Sequence, residues 1–139
     1  MCHITHVTLF NLTLRPGQSI FDQVLFAAIK SFVSGAFQPG QAFPSVRALA
    51  ADLKIHPNTA HKVVQHLIHE GWLEAHPGIG TVVATPPAAR DADKTALLSE
   101  ELEQIVVGAM RLGLTREAVK AAIDDLWNRL AEEPGAKEP

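Results

Sequence analysis

One residue constrains this chain more than any other. Pro57 falls inside a stretch, residues 46–70, whose apolar positions recur at helical spacing. Proline within a helix removes a hydrogen bond and crowds the preceding turn, whereas at the first helical position its missing N–H had no partner to lose. The stretch therefore reads as two short helices. The first is capped by Ser45 and runs to about Leu53, with Val46, Leu49, Ala50 and Leu53 on one face. Lys54-Ile55-His56 forms a break. The second runs from Pro57 to about Glu70 with an inner stripe of Ala60, Val63, Val64, Leu67 and Ile68. His61, Lys62, Gln65, His66 and His69 are left on its outer side, and Gly71 ends it.

Beyond Gly71 the period changes. Trp72–Ala75 and Thr81–Ala84 read as two short strands around the tight turn His76-Pro77-Gly78-Ile79-Gly80. Helix, sharp break, helix and hairpin is the order of a helix-turn-helix with a wing. The second helix of such a unit fits the DNA major groove only if its outer face is polar and its inner face is held by the first. Here the outer face carries hydrogen-bond donors and no carboxylate until Glu70. Glycines at the hairpin tip let backbone approach phosphates or the minor groove. The expected fold class is mainly α with a small β-wing.

The flanks complete the plan. Val7–Leu14 alternates well enough for a strand. Ser19 caps a predicted helix over Ile20–Ser34 that is apolar nearly all round, so cover on several sides is expected. Gly35 stops it, and Phe37-Gln38-Pro39-Gly40 reads as a turn. After the wing, residues 86–94 are proline-led and read as a linker. A fourth helix is predicted over Thr95–Leu112, with Leu98, Leu102, Ile105, Val106, Ala109 and Met110 on one side. Thr115 caps a fifth, whose stripe is Ala118, Val119, Ala122, Ile123, Leu126, Trp127 and Leu130. Residues 133–139 read as a flexible tail. The expected organisation is a winged domain over 1–85, a linker over 86–94, and a helical segment over 95–132.

Two helices of this length cannot enclose their own stripes. Each large apolar side chain gains about 1.5–3 kcal/mol from cover. A second copy of the same helices, together with the apolar first helix, would supply it. The expected dimer contacts are Leu98, Leu102, Ile105, Val106, Met110, Val119, Ile123, Leu126, Trp127 and Leu130.

Charge narrows the function classes. The chain has 139 residues and a net charge of −3, which excludes a globally basic nucleic-acid coat and leaves only a local patch. Residues 1–85 carry five cations, four anions and all seven histidines, whereas residues 86–139 carry seven cations and eleven anions. The single cysteine, Cys2, allows no disulfide framework and no paired-cysteine metal site. His66 and His69 share a helix face, but no cysteine or carboxylate cluster accompanies them, so no metal is expected. Neither a cofactor fingerprint nor a nucleophilic catalytic set is present, which argues against an enzyme. With no apolar run of membrane-spanning length and no secretory pattern, a cytoplasmic protein is expected.

Specific stretches carry a resemblance. They are Ile20–Val24, Ser34–Gly40, Pro44-Ser45-Val46-Arg47-Ala48-Leu49-Ala50, Asn58-Thr59, Glu70-Gly71-Trp72-Leu73 and Gly78-Ile79-Gly80-Thr81. In this order and spacing, residues 18–84 resemble the DNA-binding domain of the GntR family of bacterial transcription regulators. The short two-helix remainder, and the turn His56-Pro57-Asn58-Thr59, resemble the small YtrA-type subgroup. The resemblance implies a homodimeric repressor of a two-fold symmetric operator, often of a transporter operon. It also implies DNA contacts from Ser45, Arg47, His56, Asn58, Thr59, His61, Lys62, Gly78, Gly80 and Thr81. The chain departs from the family where His56, His61 and Ile79 replace frequent basic residues, and where His76-Pro77 replaces a basic or polar pair.

Several of these residues have plainer readings. Arg47 could pair with Asp52 or Glu74, Asn58 and Thr59 could simply start the helix, and Lys62 could be a solvated cation. Trp72 reads as a core plug and Trp127 as interface or core. Protonation of His56, His61 and His76 would add positive charge beside phosphate, so operator affinity is expected to rise as pH falls. Two further functions stay open: a sensor switched by a small molecule or metal, and a protein-interaction module built on the same helices.

Overall fold

The computed structural model describes residues 12–85 and 88–132. Among the described residues, six α-helices and one hairpin fall into two units, divided at about residue 87.

In the first unit, α1 covers Ile20–Ser34. The Ser19 hydroxyl accepts from the Asp22 amide at its start, and Gly35 ends it in the left-handed conformation at φ 89°. Helix α2 covers Val46–Leu53 and α3 covers Pro57–His69. The reversal between them turns on Lys54, a non-glycine residue at φ 57°, ψ 48°. Strands β1 (Leu73–His76) and β2 (Gly80–Val83) pair antiparallel, with Leu73 opposite Val83 and His76 opposite Gly80.

The core is where the three helices meet. Leu49 of α2, Ala60, Val63 and Leu67 of α3, and Val24 and Ala28 of α1 are wholly inaccessible, with Leu73 and Val83 closing the hairpin side. A second layer is aromatic. Trp72 stacks on Phe32 at 5.5 Å between ring centres, Phe32 meets Phe43 at 5.8 Å, and Phe37 meets Phe43 at 5.5 Å. Trp72 is thus the plug that ties the hairpin to α1.

Four details differ from the sequence reading. Helix α1 is not covered all round: Val24, Ala27 and Ala28 are buried, along with the polar Gln23, Ser31 and Ser34, while Phe26 and Val33 stay exposed. Gln23 is buried because its amide clasps the preceding turn, accepting from the Arg15 N–H at 2.8 Å and donating to the Arg15 carbonyl at 3.0 Å. Both strands begin one residue from the predicted start, so His76 is a strand residue. His66 is not on the outer face: it is half-buried, with its ring edge-on to Phe21 at 5.8 Å. Finally, residues 40–43 run along β2 as an extra edge. The amides of Gly40 and Phe43 donate to the Val83 and Thr81 carbonyls, and the Val83 amide donates to Gln41. This edge offers no alternation to read, because Pro39-Gly40 and Pro44 bracket it. Of the predicted strand over 7–14, residues 7–11 lie outside the described residues, and 12–14 have no regular structure.

In the second unit, helical structure starts at Asp91, four residues before the predicted start and inside the predicted linker. Helix α4 (Asp91–Ala96) passes through a π-helical turn, Leu97–Glu101, into α5 (Leu102–Arg111). The early start has an electrostatic cause. Asp91 and Asp93 lie in the first turn, where carboxylates favour the helix dipole. Arg90 forks onto both Asp93 oxygens at 3.0 Å, and this hydrogen bond holds the Asp93 carboxyl below its ordinary pKa. Helix α6 (Arg116–Ala131) is capped by Thr115, whose hydroxyl accepts from the Ala118 amide at 3.0 Å.

Because Leu67 is fully buried at the junction of α1, α2 and α3, truncation leaves a cavity rather than a surface change. Leu67→Ala should lower unfolding free energy by about 2–5 kcal/mol in denaturant titrations. Lys62→Ala, on the exposed side of the same helix, should fall within about 0.5 kcal/mol of the parent.

Candidate nucleic-acid interface

The polar residues singled out by sequence fall on three neighbouring elements of the first unit. The first is the start of α2. Ser45 is extended at φ −67°, ψ 163°, and its hydroxyl accepts from the Ala48 amide at 3.1 Å. That cap fixes the first turn, on which Arg47 stands exposed.

The second element is the start of α3. His56 is the N-cap and Pro57 the first helical residue. The His56 ring accepts from the Asn58 amide through Nδ1 at 3.0 Å, while its carbonyl accepts from the Thr59 and Ala60 amides. Pro57 has no N–H to satisfy, so this first turn is complete. The inner positions Ala60, Val63, Val64 and Leu67 are buried, whereas Asn58, His61, Lys62 and Gln65 are exposed and Thr59 is half-buried. The exposed side is therefore a row of an amide, an imidazole, an ammonium and a second amide.

The third element is the hairpin tip. The Ile79 amide donates to the His76 carbonyl at 2.9 Å, closing the turn. Gly78 at φ 79° and Gly80 at φ 114° hold conformations that side-chain-bearing residues rarely adopt. Space around both is open, so the tip backbone is accessible from outside. Ile79 between them is 75% exposed. Thr81 is half-buried on β2, where its carbonyl accepts from Phe43.

Two features escaped the sequence. Val46, Arg47, Ala50, Ala51, Ile55 and Pro57 line a mainly apolar depression of about 560 Å³. It sets Arg47 beside the start of α3, a juxtaposition that depends on the left-handed turn at Lys54. The other feature is the His56 cap, because histidine is not among the residues that usually signal one.

The histidines also behave differently from the sequence expectation. His56 uses its Nδ1 lone pair as an acceptor. His76 meets Glu74, Nε2 to Oε1 at 3.1 Å. Glu74 is thereby engaged on its own strand. His61 stands exposed on α3. Among the described residues no three His, Cys, Asp or Glu side chains gather as a metal site, and no helix is long and apolar enough to cross a membrane.

A three-helix core, a helix with a polar outer row beside an exposed arginine, and an open glycine-bearing hairpin define a winged helix-turn-helix transcriptional regulator. Residues 24–83 match the model of the GntR family, bacterial regulatory proteins. The chain is 32% identical over 104 residues to the uncharacterised HTH-type transcriptional regulator YhcF of Bacillus subtilis, covering 75% of this chain and 83% of that protein. It is 27% identical over 113 residues to the HTH-type transcriptional repressor YtrA of the same organism, covering 81% and 87%. Its fold is that of a Listeria monocytogenes protein solved as a transcriptional antiterminator, with a TM-score of 0.75, 22% identity and coverage of 87% and 91%. The chain belongs to the GntR family of DNA-binding transcription regulators, with YtrA-type relatives; it is a regulator rather than an enzyme.

The cap that presents Arg47 is testable by stability alone. Ser45→Ala removes the acceptor for the Ala48 amide and should cost about 1 kcal/mol in denaturant unfolding, whereas Ser45→Asp keeps the acceptor and should recover most of it.

Proposed function

We propose that the protein is a homodimeric repressor that binds a two-fold symmetric DNA operator. One observation carries the reading: α3 buries Ala60, Val63, Val64 and Leu67 and turns a carboxylate-free row, Asn58, His61, Lys62 and Gln65, outward beside exposed Arg47. In this reading α3 lies in the major groove. Asn58 and Thr59 act near its mouth, where amides at a helix N-terminus suit phosphate, and His61 and Lys62 lie further in. Arg47 supplies a forked contact to phosphate or guanine that lysine could not reproduce. Ser45 and His56 flank it, and Gly78, Gly80 and Thr81 bring the wing against the adjoining backbone or minor groove.

Self-association rests on the second unit. Leu98, Ile105, Met110 and Trp127 are 59–73% exposed, and Val106, Ile123 and Leu126 are 42–47% exposed. Leu102, Val119 and Leu130 are half-buried. So large an apolar surface on a short helical unit is the mark of an interface. A second copy fits it best, since an isologous pair covers both stripes at once and presents two copies of α3 to successive major grooves, about 34 Å apart. Relatives support the rest: the YtrA protein of Bacillus subtilis is a repressor, and its likeness covers most of both chains.

The charge-reversed variant Arg47→Glu should lose duplex binding altogether in fluorescence anisotropy while light scattering still gives the dimer mass. Lys62→Ala should weaken binding to all sequences alike and reduce the slope of log affinity against log salt by about 1. Parent protein that stays monomeric, or an Arg47→Glu protein that binds as before, would contradict the reading.

A further inference from the structure

We propose that His56 is a positioning residue for α3 and that it works only while its ring is neutral. The proposal rests on α3 being the DNA-reading helix and adds a proton-dependence to it. Its basis is geometric. Nδ1 of His56 accepts the Asn58 amide at 3.0 Å, and the same residue's carbonyl takes the Thr59 and Ala60 amides, so one residue anchors the whole first turn of the helix. With Nδ1 accepting, the ring proton of the neutral form lies on Nε2. Protonation puts a hydrogen on Nδ1, and two N–H groups then face each other where a hydrogen bond had been. The cap is lost, and a positive charge is left at the positive end of the helix dipole.

The neighbouring charges do not offset that change. On the adjoining elements the ionisable groups are Arg47, Asp52 and Lys54 of the α2 segment and His61 and Lys62 one turn into α3. Cations predominate among them, and Arg47 lines the same depression as Pro57. Attraction of an exposed imidazolium to a phosphate would work the other way, and it is worth up to about fivefold in an equilibrium. Loss of an N-cap is worth about fivefold, and the misplaced charge at the helix end about two- to fivefold more. The two losses act together against the single gain. Acid should therefore weaken the contribution of His56 to DNA binding, the reverse of what charge counting on the sequence suggests.

The test compares the full-length parent, His56→Asn and His56→Ala. Asparagine caps helices at any pH in this range, and alanine at none. Binding of each to one duplex is followed by fluorescence anisotropy at pH 7.5 and pH 5.5 in the same salt. The ratio of parent affinity to His56→Asn affinity should fall about fivefold between the two pH values, and His56→Ala should bind less tightly than His56→Asn at both. Nitrogen NMR of the free parent should place the ring proton on Nε2, and the Asn58 amide resonance should move with ring titration. A ring proton on Nδ1, or an Asn58 amide blind to the titration, overturns the cap. An affinity ratio that stays level or rises in acid overturns its role in positioning. If no variant binds any duplex at either pH while the ring shows the expected tautomer, it is the DNA-binding reading that falls, and the positioning role with it.

Discussion

The candidate interface of the first unit depends on burying one side of α3. Ala60, Val63 and Leu67 are wholly inaccessible and Val64 nearly so, against Val24 and Ala28 of α1 and Leu49 of α2. This packing decides which side chains can face outward. A helical stripe of period 3.6 fixes the opposite stripe as strictly as itself, so sealing the apolar residues leaves Asn58, His61, Lys62 and Gln65 in a row on the other side. It also fixes the beginning of the helix, since the left-handed turn at Lys54 and the His56–Pro57 start leave only one path from α2. The aromatic layer around Phe32, Phe43 and Trp72 extends the same constraint to the wing, whose tip would otherwise swing on a two-stranded ribbon too small to be stable alone.

Much of this is legible in the sequence itself. The boundaries of α1, α2 and α3 follow from Ser19, Gly35, Ser45 and Pro57, each of which acts through local backbone chemistry. The wing glycines are legible for the same reason. What is not legible depends on groups distant in sequence or on unusual partners. The 40–43 edge exists only because β2 offers it a ladder, and nothing in its own residues announces it. His66 looks like a surface residue by periodicity, yet Phe21 from α1 covers one edge of its ring. Helix α4 begins early because an arginine outside the helix reaches back to Asp93, a pairing that competes with the linker character of Pro86-Pro87. At the candidate interface, the residue types are readable but their juxtaposition is not: Arg47 and Pro57 share a depression only once the turn between them is built.

The two units divide the physical work. The first seals its three-helix core and exposes donors beside a few apolar side chains such as Phe26 and Val33; the second leaves large apolar side chains such as Met110 and Trp127 in solvent while carrying most of the chain's acidic residues. That division explains how a chain of net charge −3 can serve a DNA-binding family. Long-range steering comes from the summed field, but affinity depends on local cations near phosphate, and screening over about 8–10 Å at moderate salt separates the two. The wing carries apolar Ile79 at its tip and Glu74 held by His76 on the strand, so it presents little charge of its own.

The central claim is that the outward row of α3, the start of α2 and the hairpin tip form one surface for double-stranded DNA. Amide chemical-shift mapping of the isotopically labelled protein during titration with a short duplex tests it most directly. Salt-sensitive shifts confined to residues 45–47, 56–62 and 76–81 are the predicted result. Shifts concentrated on 97–127 instead, or no shifts with any duplex at low salt, would contradict it.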